Sequence, residues 1–166
     1  MLVIALSFCN IKFSIPTSSL SLNAVLKGVF DFPKVSTGNR YYLIELKIKN
    51  TSTTQIEFLT HSCTPGENLV FDSSNIIPVI NTCVSNRLRP VILKPNQEFS
   101  VVSIITSSSS FPEALKVGWI FLNRENTKSS DEYFNTLFKS REKGENILWS
   151  SPLKLGDWGG EPYEIR

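Results

Sequence analysis

Between Tyr41 and Ile105 the apolar residues fall into period-two runs separated by turn residues, with Cys63 and Cys83 among them. Successive side chains of a strand point to opposite faces, so each run buries one face and layers must stack to cover it. In the clearest run Tyr42, Ile44, Leu46 and Ile48 face one way, while Leu43, Glu45, Lys47 and Lys49 face the other. Lysines spaced this way mark a solvated sheet face. With a formal net charge of only +2, they give no basic stripe for a nucleic acid, so none is expected as a partner.

The rest of the chain extends the pattern. Leu20 to Phe32 reads as a strand in which Gly28 marks a bulge or bend, followed by a turn at Pro33 to Asn39. The polar stretch Asn50 to Thr54 predicts a hairpin from the Tyr42–Ile48 strand into the one beginning at Ile56. Leu69 to Phe71 is a short strand. Ile76 to Val84 is interrupted by Pro78, which predicts an edge strand or an irregular crossing. After Leu88 to Leu93 comes a turn at Lys94 to Gln97, then Glu98 to Thr106, whose apolarity on both faces predicts a central position. Ala114 to Asn123 supplies another strand. One segment has helical spacing: Ser129 and Glu132 form a capping box, Tyr133, Phe134, Leu137 and Phe138 recur as a stripe, and Gly144 stops it. A last strand runs from Asn146 to Trp149.

Without βαβ alternation, these elements predict an all-β fold, an immunoglobulin-like antiparallel β-sandwich of about seven to nine strands with one short helix near the C-terminus. The antibody signature is absent, because no tryptophan stands between Cys63 and Cys83. A bridge between them is expected to tie a loop to its neighbouring strand. The 166 residues suit a single domain over 20–166 behind a leader and linker over 1–19.

That leader, Met1 to Cys9, is a short apolar run with the look of a signal peptide. Leu6 stands three positions before Cys9 as in a lipobox, although Phe8 occupies the place of a small residue. Lipidation at Cys9, export of a cleaved chain and a retained first strand all stay open. The run falls far short of the about twenty apolar residues a membrane span needs, so membrane attachment is expected only through a lipid on Cys9. Export to the periplasm or outer membrane would let Cys63 and Cys83 persist as a structural disulfide, stabilising the fold by roughly 3 kcal/mol.

Catalytic and metal chemistry have few candidates. His61-Ser-Cys63 puts imidazole and sulfur on one strand face, which suits a Cys/His nucleophile or a metal site completed by Cys83, yet no orienting group is recognisable. The expectation is therefore no catalytic residue, no metal and no cofactor. The carboxylates Glu67 and Asp72, like Asp131 and Glu132, read as turn and helix-start residues. For binding, the Cys63–Cys83 loop offers Asn68, Asn75 and Asn81 to a protein partner, expected to be another envelope protein. Trp149 and Trp158, with Tyr41, Tyr42 and Tyr163, give the alternative of a carbohydrate-binding platform, whereas Trp119 reads as core.

The order of Leu46-Lys-Ile-Lys-Asn50, Phe58-Leu-Thr-His-Ser-Cys63, Asn81-Thr-Cys83-Val-Ser-Asn86, Leu93-Lys-Pro-Asn-Gln-Glu98 and Ile147-Leu-Trp-Ser150 resembles a group of small uncharacterised exported or lipid-anchored proteins of Bacteroidota. The resemblance covers roughly Tyr41 to Leu155. It implies an immunoglobulin-like sandwich with a paired-cysteine loop and an envelope location, and brings no activity or catalytic residue. The expected function is a non-enzymatic accessory or protein-interaction domain of the cell envelope.

Overall fold

The computed structural model describes residues 17–31, 40–79, 83, 85–155 and 163–164. Cys9, Asn81, Trp158 and the turn at Pro33 to Asn39 lie outside them. The described chain begins with a 3-10 turn and continues as β1 (Leu20–Asp31), β2 (Arg40–Asn50), β3 (Ile56–His61), β4 (Leu69–Phe71), β5 (Ile76–Val79), β6 (Leu88–Leu93) and β7 (Glu98–Ser107). There follow β8 (Ala114–Leu115), β9 (Val117–Ile120), α1 (Ser130–Lys143), β10 (Ile147–Trp149), β11 (Leu153–Lys154) and β12 (Tyr163–Glu164). The fold is all-β with one helix, and twelve strands among the described residues exceed the seven to nine expected. Of the three beyond nine, one comes from fragmentation, since the single strand read over Ala114 to Asn123 is two short ones flanking Lys116, and the other two are the two-residue strands β11 and β12.

Five strands make the largest sheet, in the order β12-β1-β2-β7-β5, with every pair antiparallel except the parallel β1–β12 contact. Smaller antiparallel sheets, β10-β9-β4, β3-β6 and β11-β8, supply the facing layer. Ile44, Leu46 and Ile48 of β2 are fully buried, as the alternation requires. They share one core with Phe58 of β3, Leu69 of β4, Val101 of β7 and Trp119 of β9. Phe58 meets the rings of Phe99, Trp119 and Phe121 edge-on at 5.1 to 6.3 Å, the arrangement that ring quadrupoles favour. The result is a sandwich-like packing of antiparallel layers.

Three sequence expectations hold at the level of single elements. The register of β1 against β2 slips between Leu26 and Gly28, the bulge that Gly28 signals. Pro78 sits in β5 at the edge of the large sheet, where a missing N–H is tolerated. Helix α1 starts at the Ser129 cap, whose hydroxyl accepts the Glu132 N–H at 3.2 Å, and ends at Gly144 in the left-handed region with φ 67°.

One expectation fails. β2 and β3 are not a hairpin: β2 pairs with β1 and β7, and β3 pairs with β6 in the other layer. The polar stretch after β2 is a crossing held by Asn50, which is fully buried and donates from Nδ2 to the carbonyls of Leu93 at 2.9 Å and Thr54 at 2.7 Å. Alternation fixes which face a residue occupies, and says nothing of which strand lies beside it.

Candidate functional site

The end of β3 is where the chain departs furthest from simple alternation. All of Phe58, Leu59, Thr60 and His61 are buried, because α1 covers the face that the large sheet leaves open. A second small core forms there from Leu59, Val70, Ile120, Leu122, Tyr133 and Leu137. Polar groups are threaded through it, and each is matched. Asn68 is fully buried, accepting hydrogen bonds at Oδ1 from the hydroxyls of Thr60 at 3.2 Å and of Tyr133, and donating from Nδ2 to the Ile120 carbonyl at 2.9 Å. Burial pushes the Tyr133 hydroxyl well above its usual pKa. The Asn68 hydrogen bond opposes that shift, and the nearby Glu67 charge adds to it. The hydroxyl thus stays a donor.

His61 is 2% exposed. Its ring packs against Tyr133 at 4.6 Å and Phe134 at 4.9 Å, and its Nδ1 lies 2.6 Å from Glu67 Oε2. A carboxylate only accepts, so the proton of that hydrogen bond belongs to Nδ1. The other carboxylate oxygen takes the Thr64 hydroxyl at 2.6 Å. The Glu67 backbone carbonyl accepts from Arg141 Nη2 at 2.9 Å, and half-burial lowers the pKa of that guanidinium. What brings Glu67 back to β3 is the 3-10 turn Pro65–Asn68, with Thr64 before it and Pro at its start. Thr64-Pro-Gly-Glu67 has the spacing of a capping box, a signal that could have singled out Glu67 from the sequence.

Cys63 and Cys83 are joined in a disulfide, with Cα atoms 6.0 Å apart across a separation of 20 residues. The surroundings clamp it. Asn86 accepts the Cys63 N–H at 3.1 Å and donates to the Thr64 hydroxyl, while Ser62 and Arg87 exchange hydrogen bonds at 2.9 and 3.1 Å. With sulfur in the bridge and His61 Nδ1 on Glu67, the two do not form a nucleophile pair. Among the described residues no cluster of three or more His, Cys, Asp or Glu could hold a metal ion.

Beside the bridge lies a groove of about 240 Å³. One wall is the loop from Cys63 to Gly66; the other is Leu43, Val102, Ser103 and Ile104 of the large sheet, with Val79 at one end. On the same outer face Val102 is 59% exposed, Ile77 48% and Val79 39%.

The asparagines singled out for binding do not converge here. Asn68 is structural, since its polar atoms are buried and spent within the second core. Asn75 is exposed at the far end of β5, and Asn81 is outside the described residues. Of the aromatics, Trp119 is fully buried, as expected. Trp149 is 40% exposed and lies over Gly118, where an added Cβ would come within 2.9 Å of its ring. Trp158 is outside the described residues, so Trp149 is the one exposed tryptophan among them.

No helix among the described residues is long and apolar enough to cross a membrane. No family model matches the chain, and neither does any curated protein or solved structure.

Proposed function

We propose that the chain is a non-enzymatic accessory domain of the bacterial cell envelope, an immunoglobulin-like sandwich that binds another protein at the groove beside the Cys63–Cys83 bridge. The observation that carries the reading is the pairing of a clamped loop with exposed apolar residues. Cys63, Thr64 and Glu67 are fixed by the disulfide, Asn86 and His61, so this wall is ordered before any partner arrives, which lowers the entropic cost of binding. Facing it, Val102 is 59% exposed. The polar cluster under α1 has its hydrogen bonds matched and supports the scaffold. The disulfide is compatible with an oxidising, exported location.

A photoreactive amino acid placed at position 102 in living cells tests the reading, with position 116 as the control. Lys116 is exposed and lies away from the groove walls. A discrete adduct from position 102 and none from 116 is the expected result. No adduct at 102 above the control would end the proposal. The glycan-binding alternative rests on Trp149, and a flat tryptophan fluorescence response across a broad glycan panel would remove it.

A further inference from the structure

Trp149 at the end of β10 is 40% exposed, although an indole ring has more apolar surface to hide than most side chains. Its seat is fixed by its neighbours. In the sheet β10-β9-β4, Trp149 and Val70 both pair with Gly118. An added Cβ on Gly118 would meet Val70, Ile147 and the Trp149 ring at 2.7 to 2.9 Å, so only glycine lets the ring settle onto the strand. The chain just beyond the ring is tied down as well. Ser150 N–H donates to the Val117 carbonyl at 2.9 Å, and the Ser150 hydroxyl accepts the Val117 N–H at 3.2 Å. Ile147, on the same face, packs against the core under α1, whereas Trp149 keeps part of its ring in water.

Polar groups stand next along that face. Continuing the ladder one position past the Val117–Phe71 pair sets Lys116 opposite Asp72, and both are exposed. Side chains two apart on a strand share a face, so Lys116 follows Gly118 at about 7 Å. The two residues hold each other through the backbone: Lys116 N–H donates to Asp72 Oδ1 at 2.9 Å, and Asp72 N–H donates to the Lys116 carbonyl at 3.3 Å. That fixes the carboxyl group in place. A carboxylate accepts more bonds than this one, and the Lys116 ammonium brings three donors.

We infer that Trp149, Asp72 and Lys116 form a site for one pyranose unit of a neutral oligosaccharide. The inference rests on the glycan reading of Trp149, and adds the groups that orient the sugar and the class they select. The face of an indole ring is electron-rich, and the C–H groups on one side of a pyranose complement it. Vicinal hydroxyls both donate and accept, so they match a carboxylate that accepts beside an ammonium that donates. One charge of each sign favours a neutral sugar over a uronic acid or a sulfated unit. Because the ring and the carboxyl are held before the sugar arrives, little ordering is left to oppose binding. None of the three residues lines the groove beside the disulfide, so a sugar here and a protein there do not compete.

The test is a printed array of neutral and acidic oligosaccharides probed with the labelled, oxidised protein, each hit being carried into titration calorimetry. Neutral pyranose oligosaccharides are expected to bind, and Trp149→Ala to weaken them by about tenfold or more. Lys116→Met keeps the aliphatic stem, and Asp72→Asn keeps an acceptor for the Lys116 N–H. Each is expected to weaken binding about threefold with the melting temperature unchanged. An array without signal rejects the site together with the glycan reading of Trp149. Binding that Trp149→Ala removes and both polar variants leave intact overturns the three-residue site while the Trp149 reading stands. A preference for acidic over neutral oligosaccharides overturns the sugar class. A polysaccharide caught by the photoreactive group at position 116 would run as a smear, so that position still serves as the control for discrete protein adducts.

Discussion

Two regions of this protein invert the usual placement of polar and apolar side chains, and they do so with opposite outcomes. Under α1, Thr60, His61 and Asn68 are buried with Tyr133, and their hydrogen bonds run to one another, to Glu67 and to the Ile120 carbonyl. On the outer face of the large sheet Val102, Ile77 and Val79 are exposed, with Val102 and Val79 at the groove beside the Cys63–Gly66 loop. A buried polar group that is matched serves the fold; exposed apolar groups gathered at a groove are open to something outside it. The disulfide stands between the two regions, because Cys63 lies two residues after His61 and lines the groove.

The sharpest way to break the comparison is Asn68→Ala. It strands the Ile120 carbonyl and the hydroxyls of Thr60 and Tyr133 in a dry core, and the expected cost is about 4 kcal/mol in a urea melt. A loss below about 1 kcal/mol would mean that water enters the cluster and that the polar inversion is not structural. Reduction of the disulfide comes next. Releasing a loop closed over 20 residues is expected to cost about 3 kcal/mol by chain entropy, read as a lower denaturation midpoint in reducing agent. The crosslink from position 102 should be lost under the same reducing conditions if the bridge also holds the groove wall.

Tyr133→Phe is smaller and carries a pH signature. It removes one hydrogen bond while Asn68 Oδ1 keeps the Thr60 hydroxyl, so about 1 kcal/mol is expected at neutral pH. Burial raises the folded-state pKa of Tyr133 above its unfolded value. The contribution is therefore complete below about pH 10, and is lost as pH rises past the unfolded value, because only the unfolded chain then ionises. Alkaline melts of the native protein should fall more steeply than those of Tyr133→Phe. Parallel curves would show that the hydroxyl reaches solvent.

How much of this was legible depended on range. Ile44, Leu46 and Ile48 were readable because burial on one sheet face is a local, period-two property, and α1 because Ser129, Glu132 and Gly144 are short-range signals. Asn68 was misread as a surface residue. Pro65-Gly66 announces an exposed turn, and nothing nearby reveals that Asn68 is turned inward to a carbonyl 52 residues away and a hydroxyl 65 residues away. The pairing of β3 failed for the same reason, since its partner β6 begins 27 residues after β3 ends, at Leu88 after His61. The groove was invisible for a further reason: its walls, the Cys63–Gly66 loop on one side and Leu43 with Val102, Ser103 and Ile104 on the other, come from distant parts of the sequence and meet only once the strands are packed.

Val102→Thr has the smallest expected effect on stability and says most about the second inversion. The side chain is 59% exposed on the outer face, and Thr keeps the β-branched shape that strands favour. Stability should therefore change by no more than about 0.5 kcal/mol. The change therefore weakens only the apolar contact that residue 102 offers beside Leu43 and Ile104 at the groove. Recovery of the partner crosslinked from a photoreactive group at position 43, on the same groove wall, is then expected to fall while the melting temperature holds. Should Val102→Thr instead destabilise the fold by more than about 1 kcal/mol, Val102 would be packed rather than free, and its exposure would have to be explained by the fold itself.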